Sequence, residues 1–202
     1  MNNTHTHREA WLLDLIERMR PLFSLHDHEL PDKIRVTCGF PSRRPLNGVK
    51  NQCVGQVWEA TSSKDAHYEV MVSPILDDTM RVAATVAHEL VHVAVGLEHD
   101  HKTPFKRLAK AIGLEGKMTA TQAGPEFIEW VLPVLEGVGP YPHAALDARG
   151  KSSGPKKQTT RLLKIQCPMC EYSVRITRKW LDEVGPPACP THTDPLEELG
   201  PE

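Results

Sequence analysis

The stretch TVAHELVHVAVGLEHDHKTPF, Thr85 to Phe105, constrains this chain more than any other. His88 and His92 are four residues apart, and Glu89 lies between them. On an α-helix, at about 100° per residue, the two imidazoles sit about 40° and one turn apart, so both reach one ion. Glu89 falls about 100° round from His88, beside that ion. There a carboxylate can accept a proton from a metal-activated water and deliver it to a leaving amine. Zinc lowers the pKa of such a water to about 7. The rest of the helix agrees with this register. Val82, Val86, Leu90, Val93 and Leu97 fall on the opposite face and would be buried, while Ala84 and Thr85 leave room beside the ligands. Asp77 or Asp78 can cap the start, and Gly96 is a natural stop.

Two histidines do not complete a catalytic zinc site, which takes three protein ligands and a water. Gly96 and His99 each fall one residue beyond the metzincin spacing. Glu115 and Glu126 are distant acids that nothing local singles out. His99 and His101 stand in the loop after Gly96, where the chain can turn back.

A second ligand set lies near the C-terminus. Cys167-x2-Cys170 is followed, after eighteen residues, by Cys189-x2-His192. Two such knuckles suit a closed structural zinc site. Leu163 with Ile165, and Val174 with Ile176, alternate like the strands of a small hairpin. A module of roughly 35 residues buries too little apolar surface to fold alone, so the metal would supply folding energy. Trp180 reads as core for so small a module, or as a base-stacking surface. The remaining thiols, Cys38 and Cys53, fall in strand-like segments and read as buried.

Charge divides the chain into three. Residues 1–148 carry −4, residues 149–180 carry +8, and residues 181–202 carry −6, for a net −2 over 202 residues. The basic block contains Lys156, Lys157, Arg161, Arg175, Arg178 and Lys179, which together suggest a nucleic-acid surface. RGKSSGPKKQ reads as a flexible basic linker over 149–159, with a zinc module and acidic tail over 160–202. The polar N-terminus, MNNTHTHREA, shows no signal peptide, and no apolar run is long enough to span a membrane. A cytoplasmic protein is expected, and the sequence assigns no oligomeric state.

Elsewhere the pattern is mixed. Thr6 and Glu9 fit a capping box opening a helix through Met19 to Pro21. KIRVTC at 33–38 alternates like a strand, and QCVGQVWEA and HYEVMVSP read as a hairpin. Thr103-Pro104 opens a helix to about Ile112, with Thr103 as cap. Gly124-Pro125 opens another, with Pro133 as a kink or break. The fold class is α+β. Tyr68, Tyr141 and His143 are candidates to stabilise an oxyanion.

HELVHVAVGLEHDHKTPFKRL resembles the active helix of the SprT-like, or Spartan-type, metallopeptidase family. The resemblance extends, as an order of elements, over roughly residues 8–195. It implies a zincin-like domain over 1–148: an N-terminal helix, a small β-sheet, the HExxH helix and further helices, followed by a zinc ribbon. It gives His88 and His92 the helical ligand places, Glu89 the catalytic place and His101, four before Phe105, the third ligand place. His99 then has no family role. It also implies two zinc ions, a protein substrate, and action on nucleic-acid-associated proteins, DNA more than RNA. Two departures stand in the ribbon: His192 replaces the commoner Cys, and Glu171 stands where Gly often follows the second Cys. The other reading is a non-catalytic, zinc-containing nucleic-acid-binding or regulatory protein, which would have no use for Glu89.

Overall fold

Apolar residues at helical spacing build the first helix, α1 (Arg8–Ser24), which buries Trp11, Leu12, Leu15, Ile16, Met19, Leu22 and Phe23. This computed structural model describes residues 5–44, 52–148 and 162–198. The expected capping box does not form. His7 is the N-cap without a side-chain bond, and Glu9 Oε1 accepts from the Cys38 N–H at 3.1 Å. A tertiary partner thus takes the carboxylate that local geometry would have used. Nor does Pro21 end the helix, which runs on to bury Leu22 and Phe23. Burial of those two side chains offsets the missing N–H.

Three strands follow: β1 (Ile34–Cys38), β2 (Gly55–Trp58) and β3 (Tyr68–Val72), in the spatial order β1-β3-β2. β2 and β3 pair antiparallel, Gly55 opposite Val72 and Trp58 opposite Glu69, as the hairpin reading expects. β1 pairs with β3 in parallel, Ile34 opposite Tyr68, a long-range partnership that periodicity does not encode. β2 is left at an edge of this sheet.

The histidine helix, α2 (Thr79–Val95), packs on β2, β3 and α1. Asp78 caps it, its carboxylate accepting from the Arg81 N–H at 2.7 Å. Val82, Val86, Leu90 and Val93 are buried as their register requires. Gly96 ends it at φ 95°, a left-handed conformation that side chains resist. A short turn then leads to α3 (Thr103–Ala111), whose cap is Lys102, not Thr103. Next comes an unanticipated hairpin, β4 (Leu114–Lys117) with β5 (Ala120–Ala123). α4 (Pro125–Val138) passes through Pro133 unbroken, with Val131, Leu135 and Val138 buried.

The chain divides into two units, Met1–Gly150 and Lys151–Glu202. In the second, β6 (Leu162–Gln166) and β7 (Ser173–Thr177) form the expected hairpin, with Leu163 opposite Ile176 and Ile165 opposite Val174. A helix not foreseen, α5 (Arg178–Val184), follows β7, and β8 (Glu197–Glu198) pairs with β6. The buried core here is Ile165, Cys167, Cys189 and Leu196. Trp180 is not part of it: 52% exposed, it lies on the surface. No helix among the described residues is long and apolar enough to cross a membrane. The fold is mixed α+β.

Asp78 satisfies an otherwise orphaned N–H at the start of the histidine helix. Asp78→Ala should lower stability by about 1 kcal/mol, seen as a fall of a few degrees in thermal midpoint.

Candidate metal centres

α2 carries His88 and His92 one turn apart, and the loop before α3 returns His101 to them. His101 Nε2 lies 3.2 Å from His88 Nε2 and 3.3 Å from His92 Nε2. These three form a group whose ligand atoms converge. An ion with tetrahedral bonds of about 2.0–2.1 Å places its nitrogens about 3.3–3.4 Å apart. The two separations from His101 therefore already match the edge lengths of a four-coordinate site. The open choice for the third ligand is resolved in geometry. His99 turns away, 3.6 Å from Glu98, and Glu115 and Glu126 are not in the group.

Phe105 is the floor of this arrangement. It is fully buried, and its ring lies 4.9, 4.4 and 4.8 Å from those of His88, His92 and His101. The sequence offers Phe105 only as the opening of the next helix; its contact with all three rings appears only in three dimensions. Burial, followed by the neighbouring imidazoles, lowers the His88 pKa to about 3. Burial, then His101, lowers that of His92 to about 4. Both rings are thus neutral at physiological pH, as metal ligands must be.

Glu89 is only 6% exposed, and burial raises its pKa to about 8. A cation held by the three imidazoles would favour its ionised form. The backbone of β2 passes close by. A Cβ on Gly55 would stand within 3.0 Å of the Glu89 carboxylate and of Thr85 Cγ2. Gly55 is there for space, which the sequence alone does not reveal. A cleft of about 450 Å³ opens over the group, walled by β2 through Val57 and Trp58 and by Thr119, Ala120 and Thr121 at the β4–β5 hairpin. Cys53 also lines it and is half-buried, as is Cys38. Burial, then the Glu89 charge, pushes the Cys53 thiol up. Tyr68, Tyr141 and His143 do not line the cleft.

In the second unit Cys167, Cys170, Cys189 and His192 converge. Cys170 and Cys189 sulfurs are 3.7 Å apart, and His192 Nδ1 lies 3.7 Å from Cys167 Sγ and 3.6 Å from Cys189 Sγ. Tetrahedral bonds of about 2.3 Å to sulfur and 2.0–2.1 Å to nitrogen give edges of about 3.8 Å between sulfurs and 3.5–3.6 Å from sulfur to nitrogen. The donor set fits one closed site. Burial alone would raise the Cys189 thiol, but N–H groups of His192 and Thr191, with the His192 ring and Cys167, bring it down to about 6.

Of the six basic residues singled out by charge, Lys156, Lys157 and Arg161 lie outside the described residues. Arg175 is exposed on β7, directly opposite Lys164 on β6. Lys179 extends over the Trp180 ring, 5.1 Å from its centre. Arg178 is engaged within its own unit, donating from both terminal nitrogens to Glu198 and lying 4.0 Å from Asp182.

The pKa shifts of His88, His92 and Glu89 set their share of the pH response of the metal-free first unit. His88 and His92 titrate near 3 and 4 when folded and near 6.5 when unfolded. Their stabilisation is complete above pH 6.5 and is lost as pH falls from there towards 3. Glu89 acts oppositely: its folded value of about 8 exceeds 4.5, so its contribution is lost as pH rises through 8. In chelated protein the first unit should therefore be most stable near pH 6–7, measured as the midpoint of the helical unfolding transition of residues 5–148 against pH; a rise of that midpoint continuing to pH 9 would contradict these assignments. Comparison with protein-family models, curated proteins and solved structures finds no match for this chain.

Proposed function

We propose that the chain is a zinc-dependent endopeptidase of the SprT-like kind, with a zincin-like domain at residues 1–148 and a zinc ribbon after it. The observation that carries this reading is a buried carboxylate, Glu89, beside three converging imidazole nitrogens in an open cleft. A purely structural metal site has no need of that carboxylate, and such a site is normally closed by a fourth protein ligand. The order of elements supports the family reading: a helix, a small sheet, the HExxH helix, then a histidine four residues before Phe105.

His88, His92 and His101 would hold the ion through Nε2. Zinc, when bound, supplies a Lewis acid for the scissile carbonyl and makes a water acidic enough to lose a proton near neutrality. Glu89 takes that proton on its carboxylate and passes it to the leaving amine. The β2 edge and the β4–β5 hairpin wall the cleft on which the polypeptide is laid, and Gly55 keeps the strand backbone clear of Glu89.

The second unit supports a nucleic-acid partner, DNA in preference to RNA by the family analogy. Lys164 and Arg175 face each other across the ladder, and like charges so placed repel. A phosphate backbone would relieve that repulsion. Lys179 and exposed Trp180 add a cation and a stacking face beside β7. The substrate class is then a protein associated with nucleic acid. Non-catalytic binding is the competing reading, and the role of Glu89 separates the two.

The deciding assay is cleavage of a DNA-bound basic protein, with and without DNA. Glu89→Gln should keep zinc and lose cleavage by about 10²–10⁴-fold. Gly55→Ala, by displacing Glu89, should also lower turnover while keeping the metal. A Glu89→Gln protein as active as wild type would overturn the peptidase mechanism.

The nucleic-acid reading is tested by salt. Arg175→Ala should weaken DNA binding across sequences and reduce the slope of log affinity against log salt by about 1. An unchanged slope would remove Arg175 from the interface.

A further inference from the structure

The reaction as described gives the β4–β5 hairpin no part beyond walling the cleft. Yet one of its side chains touches a ligand ring. Thr121 Oγ1 on β5 lies 2.8 Å from Nδ1 of His88. The other nitrogen of that ring, Nε2, points to His101 Nε2 at 3.2 Å. A neutral imidazole carries one N–H, so its two nitrogens have opposite roles. If Nε2 is to offer a lone pair to an ion, the proton must sit on Nδ1. A hydroxyl oxygen can accept that proton's hydrogen bond. The same hydroxyl could instead donate to Nδ1, but Nε2 would then hold the proton and could not ligate. Occupancy of the metal site and the direction of this hydrogen bond are therefore one choice.

The hairpin is built to hold the hydroxyl in place. Thr121 is β-branched and stiff about its first side-chain torsion. Its cross-strand partner is Gly116, which brings no side chain to compete on that face.

We propose that Thr121 is a positioning residue for the metal centre: its Oγ1 accepts the Nδ1–H of His88 and so fixes the ring tautomer that turns Nε2 towards His92 and His101. The inference rests on the reading of these three histidines as metal ligands. It gives the hairpin a second role, tying the mouth of the cleft to the ligand helix by one polar bond.

The test uses the full chain, reduced and stripped of metal, in the wild type and in Thr121→Val and Thr121→Ser. Cobalt(II) is titrated in, with a competing chelator. Thiolate-to-cobalt charge-transfer absorption reads the cysteine site, and the d–d bands of the three-histidine site are read separately. Thr121→Val keeps the shape and removes the acceptor. It should weaken cobalt at the histidine site by about 10–100-fold and leave the cysteine site unchanged. Thr121→Ser restores the acceptor and should bind within a few-fold of wild type. Long-range ¹H–¹⁵N spectra of metal-free protein should show His88 with its proton on Nδ1 in wild type and Thr121→Ser, and a mixed population in Thr121→Val. Equal affinity in Thr121→Val and wild type would overturn the proposal. So would equal losses in the Val and Ser variants, which would mark a packing role. Wild-type protein that takes up cobalt only at its thiolates would instead refute the metal-centre reading itself, and this inference with it.

Discussion

Three neutral imidazoles, with His101 Nε2 held 3.2–3.3 Å from Nε2 of His88 and of His92, are the constraint around which the first unit is arranged. Lone pairs at that separation repel unless a proton or a cation lies between them. The fold supplies the force that keeps them there. α2 is buried against the sheet and α1, which sets the azimuth of His88 and His92. Phe105 begins the next helix and lies beneath all three rings. The turn after Gly96 needs a left-handed residue at its start, and Asp100 accepts φ 45° just before His101. With ψ at −132°, that backbone conformation is unfavourable for any residue with a Cβ. It persists because the packing on either side of the loop determines it.

The same packing sets the electrostatics. Burial lowers the histidine pKa values and raises that of Glu89, which pushes acid and ligands in opposite directions. Neutral imidazoles and a carboxyl group that gives up its proton near neutrality form a compatible set, because a bound cation would change the protonation state of the carboxyl alone. Space matters as much as charge. Glu89 keeps its position because the nearest residue of β2 has no side chain.

The histidine helix was legible in the sequence because everything that defines it is local. Ligand spacing, the valine and leucine register, the Asp78 cap and the Gly96 stop all lie within one helix and its ends. The cysteine module was legible for the same reason, since its knuckles are short and its strands alternate. What was not legible depended on partners far along the chain. Glu9 left its capping box for Cys38, β1 paired in parallel with a strand more than thirty residues away, and α1 ran through Pro21 because Leu22 and Phe23 had a core to enter. β4 and β5 escaped notice because Gly116, Lys117, Ala120 and Ala123 carry no strand signal. Gly55 and Thr121 were hidden with them, for a residue that supports a ligand has no spacing rule of its own. The basic block remains a matter of charge for Lys156, Lys157 and Arg161, whereas the structure commits Arg178 to Glu198 and leaves Trp180 exposed.

The two candidate metal centres stand in opposite relations to their folds. In the first unit a large core joins α1, the sheet, α2, α3 and α4, and it includes Phe105, Leu90 and Val91 beneath the site. The ligands converge as a result of that core, so the ion is not needed to make the fold. In the second unit, two of the four buried core residues, Cys167 and Cys189, themselves belong to the candidate ligand group. Without an ion between them, two thiols, one prone to ionise near pH 6, stand together in an apolar setting. A site made by its fold can keep a coordination position open for chemistry, because stability does not depend on filling it. A site that makes its fold gains most when every position is filled by protein. The three-nitrogen and four-donor groups follow that division, and it supports the proposal that reaction belongs to the first unit and recognition to the second.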